Sequence, residues 1–170
     1  MSDYLLRPAA PGDVAEMVAI TVEGFESYRD FAPEGWELPA AADEVERLRD
    51  LIGEDHVWYR VAERGGALAG HVGFLPADRL SWAQIDDPGL VHFRQLFVAR
   101  AHWGTGLATR LHAAAVDEAR ARGFDAMRLF TPAGQARARR FYEREGWELS
   151  VAPFHDGRIG FEIVEYRFAL

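Results

Sequence analysis

The chain has 170 residues, 49% hydrophobic and 27% charged, so it is long enough to bury a sizeable core and has the balance of an ordinary soluble globular protein. Its formal net charge of −8 argues against DNA or RNA as a main partner, since phosphate binding needs a basic face; it is mildly compatible with a cationic substrate, although a solvated acidic surface accounts for it better. Cysteine, lysine and asparagine are absent and all 19 basic residues are arginine, which excludes disulfides, thiolate catalysis, thiolate metal sites, a Schiff-base or P-loop lysine and a catalytic asparagine.

The opening segment, M-S-D-Y-L-L-R-P, lacks a basic stretch followed by a long apolar run, so no signal peptide is expected. No stretch approaches the ~20 apolar residues of a membrane helix, and a cytoplasmic protein is the expectation. Repeats, low-complexity tracts and linkers are absent, so one domain over residues 1–170 is the simplest reading. Tyr4 to Arg7 reads as a short first strand. Pro11-Gly12-Asp13 is a turn whose Asp13 is placed to cap a helix from Val14 to Phe25, with Val14, Met17, Val18 and Val22 apolar. Residues 26–39 are loop-like but aromatic, with Tyr28, Phe31 and Trp36. Ala40 to Ile52 reads as a second helix ended by Gly53. Val57 to Glu63 and Ala67 to Leu75 are strands joined at Arg64-Gly65-Gly66, a hairpin signal. Pro76 to Leu90 is a polar excursion containing Trp82.

A strand follows at Val91 to Val98, then a helix from Leu107 to Arg122 with Leu107, Leu111, Ala115 and Ala119 on one stripe. Gly123 ends it where left-handed geometry is usual. Ala126 to Phe130 is a strand, and Thr131-Pro132 supplies an N-cap and first-turn proline for a helix over 132–145 carrying Phe141 and Tyr142. Gly146 stops it. Trp147 to Ala152 and Ile159 to Ala169 close the chain as an antiparallel pair across His155-Asp156-Gly157. The order β-α-α-β-β-β-α-β-α-β-β is an α/β (mixed α+β) layer fold: a mostly antiparallel sheet with one parallel β-α-β unit.

The loop after Val98 carries the densest information. Gly104, Thr105 and Gly106 precede a helix start, so several free N–H groups and the positive end of a helix dipole converge on one point suited to a phosphate or pyrophosphate. A P-loop fails without lysine. A dinucleotide-binding turn is weak: Thr109 or Arg110 stands where a third small residue belongs, and the next strand ends in Phe130-Thr131-Pro132 with no carboxylate.

The same stretch resembles the GNAT superfamily of acyl-CoA-dependent N-acyltransferases, whose signature Q/R-x-x-G-x-G/A follows a strand and opens a helix. Leu96-Phe97-Val98 matches the strand end and Gly106-Leu107-Ala108 matches G-x-G/A; Trp103 replaces the usual Gln or Arg, with Arg100 as a candidate substitute. Phe141-Tyr142-Glu143-Arg144-Glu145-Gly146-Trp147 is similar to the family segment that delivers a tyrosine to the acyl-CoA sulfur. Gln135 stands seven positions before Tyr142, where the family often has Asn near the pantetheine arm. The resemblance implies helices on both sheet faces, acetyl-CoA as co-substrate without a metal, a primary amine as acceptor attacking directly in a ternary complex, and a frequent homodimer.

The chemistry of thioester acyl transfer assigns roles. Leu96, Phe97, Val98, Trp103, Gly104, Thr105, Gly106, Leu107, Ala108, Gln135 and Tyr142 are the expected cofactor contacts, with a free N–H near Val98 polarising the carbonyl. Tyr142 is a fitting general acid for the leaving thiolate. His92 is a candidate base, since strict alternation puts His92, Arg94, Leu96 and Val98 on one face of an unbulged strand. His71, Glu23, Glu26 and a water relay are its rivals. Phe25, Tyr28, Phe31, Trp36 and Trp82 fall in segments that flank the acceptor cleft of such a fold, where a substrate wall, an amine-binding cation–π box and plain packing are all open and packing accounts best for any one of them. His102 reads as a surface loop residue, and Arg139 as a remote candidate for a phosphate. The histidines show no metal-ligand spacing. A non-catalytic acyl-CoA-binding module is the alternative, favoured by Trp103 and by the missing Asn. A nicotinamide-dependent oxidoreductase is a third, weaker reading.

Overall fold

Two glycines set the first hairpin. Gly65 and Gly66 take φ of 62° and 84°, as two-residue primed turns require, and join β2 (Trp58–Arg64) to β3 (Ala67–Pro76). The computed structural model describes residues 4–80 and 82–170; the first three residues of the segment read for a leader lie outside it. β1 (Leu5–Pro8) pairs outside β2, and β4 (Leu90–Val98) pairs β3, both antiparallel. The crossover helix α3 (Leu107–Ala121) brings β5 (Ala126–Pro132) parallel to β4. β6 (Glu148–Asp156) and β7 (Phe161–Ala169) complete one seven-stranded sheet in the order β1-β2-β3-β4-β5-β7-β6.

Alternation along β2 divides the core. Trp58 and Ala62 face the cluster built with Leu107, Leu111, Met127 and Tyr166 under α3 and α4 (Ala136–Arg144). Tyr59 and Val61 face Val14, Met17, Val18 and Leu48 under α1 (Val14–Glu26) and α2 (Ala41–Ile52). The sheet is thus covered on both faces, and each apolar stripe read from the sequence lies inward.

Two irregularities in the middle of this sheet matter for function. β4 and β5 pair only over Leu90–His92 against Ala126–Arg128, and beyond that the strands splay. On β4, Phe93 opposes Phe74 and Gln95 opposes Gly73, so Arg94 is the extra residue of a β-bulge. The bulge reverses the side-chain alternation. Val91 and Phe93 lie with Leu96 and Val98 on the α3 side, which puts His92 on the opposite face from Leu96 and Val98 and corrects the shared face expected from strict alternation.

Other boundaries also differ from the sequence reading. The helix expected over 132–145 starts only at Ala136, because β5 continues through Thr131 and Pro132 to pair with Val164 and Ile163. Ala133 N–H donates to Glu162 of the β7 side, so by alternation the nitrogen of Pro132 faces the splay, where no β4 carbonyl waits for a donor. Asp13 does not cap α1. Its carboxylate accepts from Ala10 N–H at 2.8 Å and from both Nη atoms of Arg7 at 2.7 and 2.9 Å, and that pairing holds its pKa below the usual carboxylate value. The last hairpin turns later than His155-Asp156-Gly157, after Asp156, whose carboxylate accepts the Arg158 N–H at 2.8 Å as an Asx-turn.

Candidate active site

The splay exposes backbone on β4. Ala99 N–H donates back to Ala69 on β3, so alternation turns the N–H and C=O of Leu96 and Val98 toward the open side. The carbonyl of Val98 accepts the indole Nε1–H of Trp103 at 2.7 Å, which confirms the direction and leaves the Val98 N–H facing the cleft. Gly104 and Gly106 hold φ of 78° and 81°, a conformation costly for residues with a Cβ. This bend gathers the amides of residues 104–109 at the start of α3. The first bond into the helix is Arg110 N–H to the Gly106 carbonyl at 3.2 Å, so the preceding amides point outward as an anion cradle.

The loop is braced from beneath. Thr105 Oγ1 donates to the His102 carbonyl at 2.8 Å, and Tyr4 Oη lies 2.9 Å from His102 Nδ1 and 3.3 Å from Thr105 Oγ1. His102 therefore has a structural task that its loop position concealed. Trp103 brings no charge of its own, but the guanidinium of Arg137, from the first turn of α4, lies 3.6 Å from its ring centroid, with that of Arg100 at 5.4 Å. A cation thus reaches the loop from the far wall of the cleft. Arg139 is not the one: it donates to Tyr166 Oη and the Ala133 carbonyl, both at 3.0 Å.

Tyr142 stands on α4 with its ring edge-on to Phe93 and Trp147 at 6.2 and 5.7 Å. It is 9% exposed and lines the cleft. Burial, with Tyr28 nearby, raises its phenol pKa, so the hydroxyl keeps its proton throughout the physiological range. Gln135 Nε2–H donates to Ser27 Oγ at 2.9 Å, and Ser27 Oγ donates to the Gly24 carbonyl at 2.7 Å. The side chain at the Asn position therefore ties the start of α4 to the end of α1.

Beyond this point the walls become aromatic. Tyr28, Phe31, Trp36 and Phe161 form a cluster with ring centroids 5.4 to 6.2 Å apart. Trp36 Nε1–H is fixed on the Ile159 carbonyl at 2.8 Å. Gly134 lets Phe31 approach, since a Cβ there would lie 2.6 Å from its ring. On the other side His92 sits 5.8 Å from Trp82 and 5.4 Å from Phe130. It is 3% exposed with Nδ1 unpartnered. Burial pushes its pKa well down, and the guanidinium groups of Arg128, Arg94 and Arg158 push it further.

The rival bases are engaged elsewhere. His71 is fully buried, 3.3 Å from Thr21 Oγ1, and burial lowers its pKa to about 3. Glu23 accepts the Arg100 N–H at 2.8 Å and Glu26 pairs with Arg29 at 2.8 Å.

One cleft of about 1820 Å³ runs from Gly104 and Tyr142 to Trp36, Trp82 and His92. That exceeds the ~300–1,000 Å³ of ordinary small-molecule pockets and leaves room for a long ligand and a second, smaller one. Among the described residues no cluster of His, Asp and Glu could hold a metal ion, and no helix is long and apolar enough to cross a membrane. Sequence reading missed Tyr59, Gln95 and the engagement of Arg94 and Arg137 here. The one available signal was a charged residue inside the apolar run of β4.

The model of the acetyltransferase (GNAT) family matches residues 21–147. No curated protein matches the chain. Among solved structures, the chain is similar to an N-acetyltransferase from Staphylococcus aureus Mu50 (16% identity, 99% of each chain covered, TM-score 0.75). It is also similar to PaiA N-acetyltransferase from Thermoplasma acidophilum in complex with coenzyme A (15% identity, 97% of this chain and 98% of that one, TM-score 0.73). A third is yncA from Salmonella typhimurium with its cofactor acetyl-CoA (21% identity, 99% of this chain and 94% of that one, TM-score 0.70).

Proposed function

The chain belongs to the GNAT acetyltransferase family, and from that premise we propose that it transfers the acetyl group of acetyl-CoA to a primary amine by direct attack in a ternary complex, as one catalytic domain over residues 1–170. The observation that carries this reading is the splay itself. It brings an outward-facing Val98 amide, a glycine-built anion cradle and a protonated Tyr142 hydroxyl into one cleft. Two structural neighbours, PaiA with coenzyme A and yncA with acetyl-CoA, support the same choice of co-substrate.

Each group has a task. The amides of Gly104, Thr105, Gly106, Leu107 and Ala108 hold the pyrophosphate, and Arg137 stacked on Trp103 adds the charge that position 103 lacks. Leu96, Phe97 and Val98 line the pantetheine arm beside Gln135, and the Val98 N–H stabilises the oxyanion as the amine nitrogen bonds to the thioester carbon. When the C–S bond breaks, Tyr142 Oη gives its proton to the thiolate. The attacking nitrogen, cationic once bonded to carbon, is strongly acidic, so even the weakly basic imidazole of His92, which lines the cleft, accepts its proton. The proton then returns through solvent to Tyr142.

The test is release of free CoA thiol from acetyl-CoA across a panel of primary amines, with the acetylated product identified by mass spectrometry. Tight acetyl-CoA binding with no turnover on any amine would overturn the catalytic reading in favour of a binding module, the alternative to which Trp103 and Gln135 point.

A further inference from the structure

Arg94 has an unusual position for an arginine. It is the inserted residue of the β4 bulge and lines the cleft beside His92 and Gln95. Among the described residues its one side-chain hydrogen bond runs from Nη1 to Tyr59 Oη at 2.8 Å. Among the described residues no carboxylate lies within 4.0 Å of it. Glu44 acts on it through space, and its Oε1 accepts from Arg47 at 2.8 Å. A guanidinium has five N–H donors in a planar fork, and most of this fork remains unpaired in the cleft wall.

Its neighbours are answered differently. Arg158 is neutralised by Asp156 and stacks on Trp82 with 3.2 Å to the ring centroid. Arg128 donates to the Ala83 carbonyl at 2.8 Å and is not among the cleft-lining residues. Arg94 alone of the three meets the cleft with a neutral partner.

The fold builds this position deliberately. Gly73 lies opposite the bulge, and a Cβ there would fall 2.2 Å from the Tyr59 ring. The glycine lets the tyrosine lie across β3, where its hydroxyl accepts from Arg94 and donates to Gln95 Oε1 at 3.1 Å. A bulge re-aims one side chain, and a buried phenol fixes it. A partly buried cation held by a neutral group is costly until an anion completes its pairing.

We propose that Arg94 binds a carboxylate carried by the amine acceptor, so that the acceptor is an amino acid whose side chain rests against the aromatic wall of Tyr28, Phe31, Trp36 and Phe161. The inference rests on the acetyltransferase reading and narrows it. A planar guanidinium and a carboxylate form a bidentate pair; a single such fork suits a monoanion better than a phosphate dianion. The acidic chain as a whole, with net charge −8, therefore does not set the sign of its own acceptor site, which sequence composition left compatible with a cationic substrate.

The experiment compares matched acceptors: a panel of L-amino acids, their primary amides and the corresponding amines lacking the carboxyl group. Thiol release is measured and corrected for the free-base fraction of each amine. The expected result is a preference for the acid over its amide of about tenfold to a hundredfold in kcat/KM. In Arg94→Gln this ratio collapses toward one, in Arg94→Lys it survives in part, and in Tyr59→Phe it falls several-fold.

Turnover confined to acceptors without a carboxylate, or an Arg94→Gln loss shared equally by all three acceptor types, overturns the proposal. If the protein binds acetyl-CoA but acetylates nothing, the acetyltransferase reading is what fails. Calorimetric titration of the same panel into the CoA-loaded protein then decides on Arg94: tighter binding of acids than amides, abolished in Arg94→Gln, upholds the carboxylate site, and equal binding removes it.

Discussion

The two halves of the cleft are built from different materials. The half proposed for the cofactor is backbone: a positive-φ glycine loop, outward amides at the start of α3 and the freed edge of β4. The half proposed for the acceptor is side chain: an aromatic cluster from the α1–α2 segment and β7, and one cation, Arg94, displayed by a bulge. A grip made of amides serves an invariant ligand and tolerates almost any side chain around it, whereas a wall made of side chains defines its ligand by what those side chains are. The proposed function therefore predicts that pyrophosphate binding and acceptor choice are separable in this chain.

That separation can be broken or sharpened by substitution, and the largest effect belongs to the junction of the halves. Tyr142→Phe is expected to lower kcat by roughly 10²–10⁴, the range of a lost general acid, while acetyl-CoA affinity moves little. Equal loss of both would show that the tyrosine holds the cofactor instead of giving up its proton.

Next comes the backbone half alone. Gly106→Val forces a branched residue to the 81° φ and should weaken acetyl-CoA binding about tenfold, from ~1–2 kcal/mol of left-handed strain. The KM of the acceptor should stay put; parallel shifts in both KM values would erase the distinction between the halves.

The buried histidines carry a pH signature in stability. His71 and His92 are buried as neutral imidazoles, with folded pKa values lowered to about 3 for His71 and also depressed for His92. The unfolded chain protonates both below about pH 6.5, so it binds more protons than the folded one there. Stability is whole above that pH and falls as pH drops through it, by up to ~1.4 kcal/mol per pH unit for each histidine. Urea denaturation at stepped pH should show the slope, and His92→Gln should make it shallower by one proton. A flat profile between pH 6.5 and 5 would contradict the burial of both.

The smallest expected effect tests the one side chain that assists the backbone grip. Arg137→Ala should raise the KM for acetyl-CoA about two- to fivefold, the scale of a partly exposed cation–π and phosphate contact of ~0.5–1 kcal/mol. The salt dependence of that KM, compared between Arg137→Ala and Arg137→Lys, would separate loss of charge from loss of the planar stack.

The same division explains what could be read in the chain beforehand. Gly104, Gly106 and the Phe141–Gly146 segment were legible because loop geometry and helix ends are local, and glycine announces them. Element order and type were legible for the same reason, down to the two-glycine hairpin. Thr131-Pro132 misled because proline suits a first helical turn and a strand edge with no acceptor opposite equally well, and only the splay of β4 decides between them. His92 was assigned to the wrong face because a single inserted residue inverts a period of two. The task of Arg94 depends on Tyr59 crossing Gly73 from another strand, a tertiary fact with no local trace beyond a charge in an apolar strand.

The three-residue seam between β4 and β5 has one more consequence, for motion. The four strands before it and the three after it share few backbone hydrogen bonds, so the seam is the natural boundary between two cooperative opening units. A ligand lying in the splay touches both units and stabilises only the closed arrangement, by an amount that grows with its concentration over its dissociation constant. The amide of Phe130, which by alternation faces the splay, is thus the place where slowed hydrogen exchange would report that the co-substrate has closed the sheet.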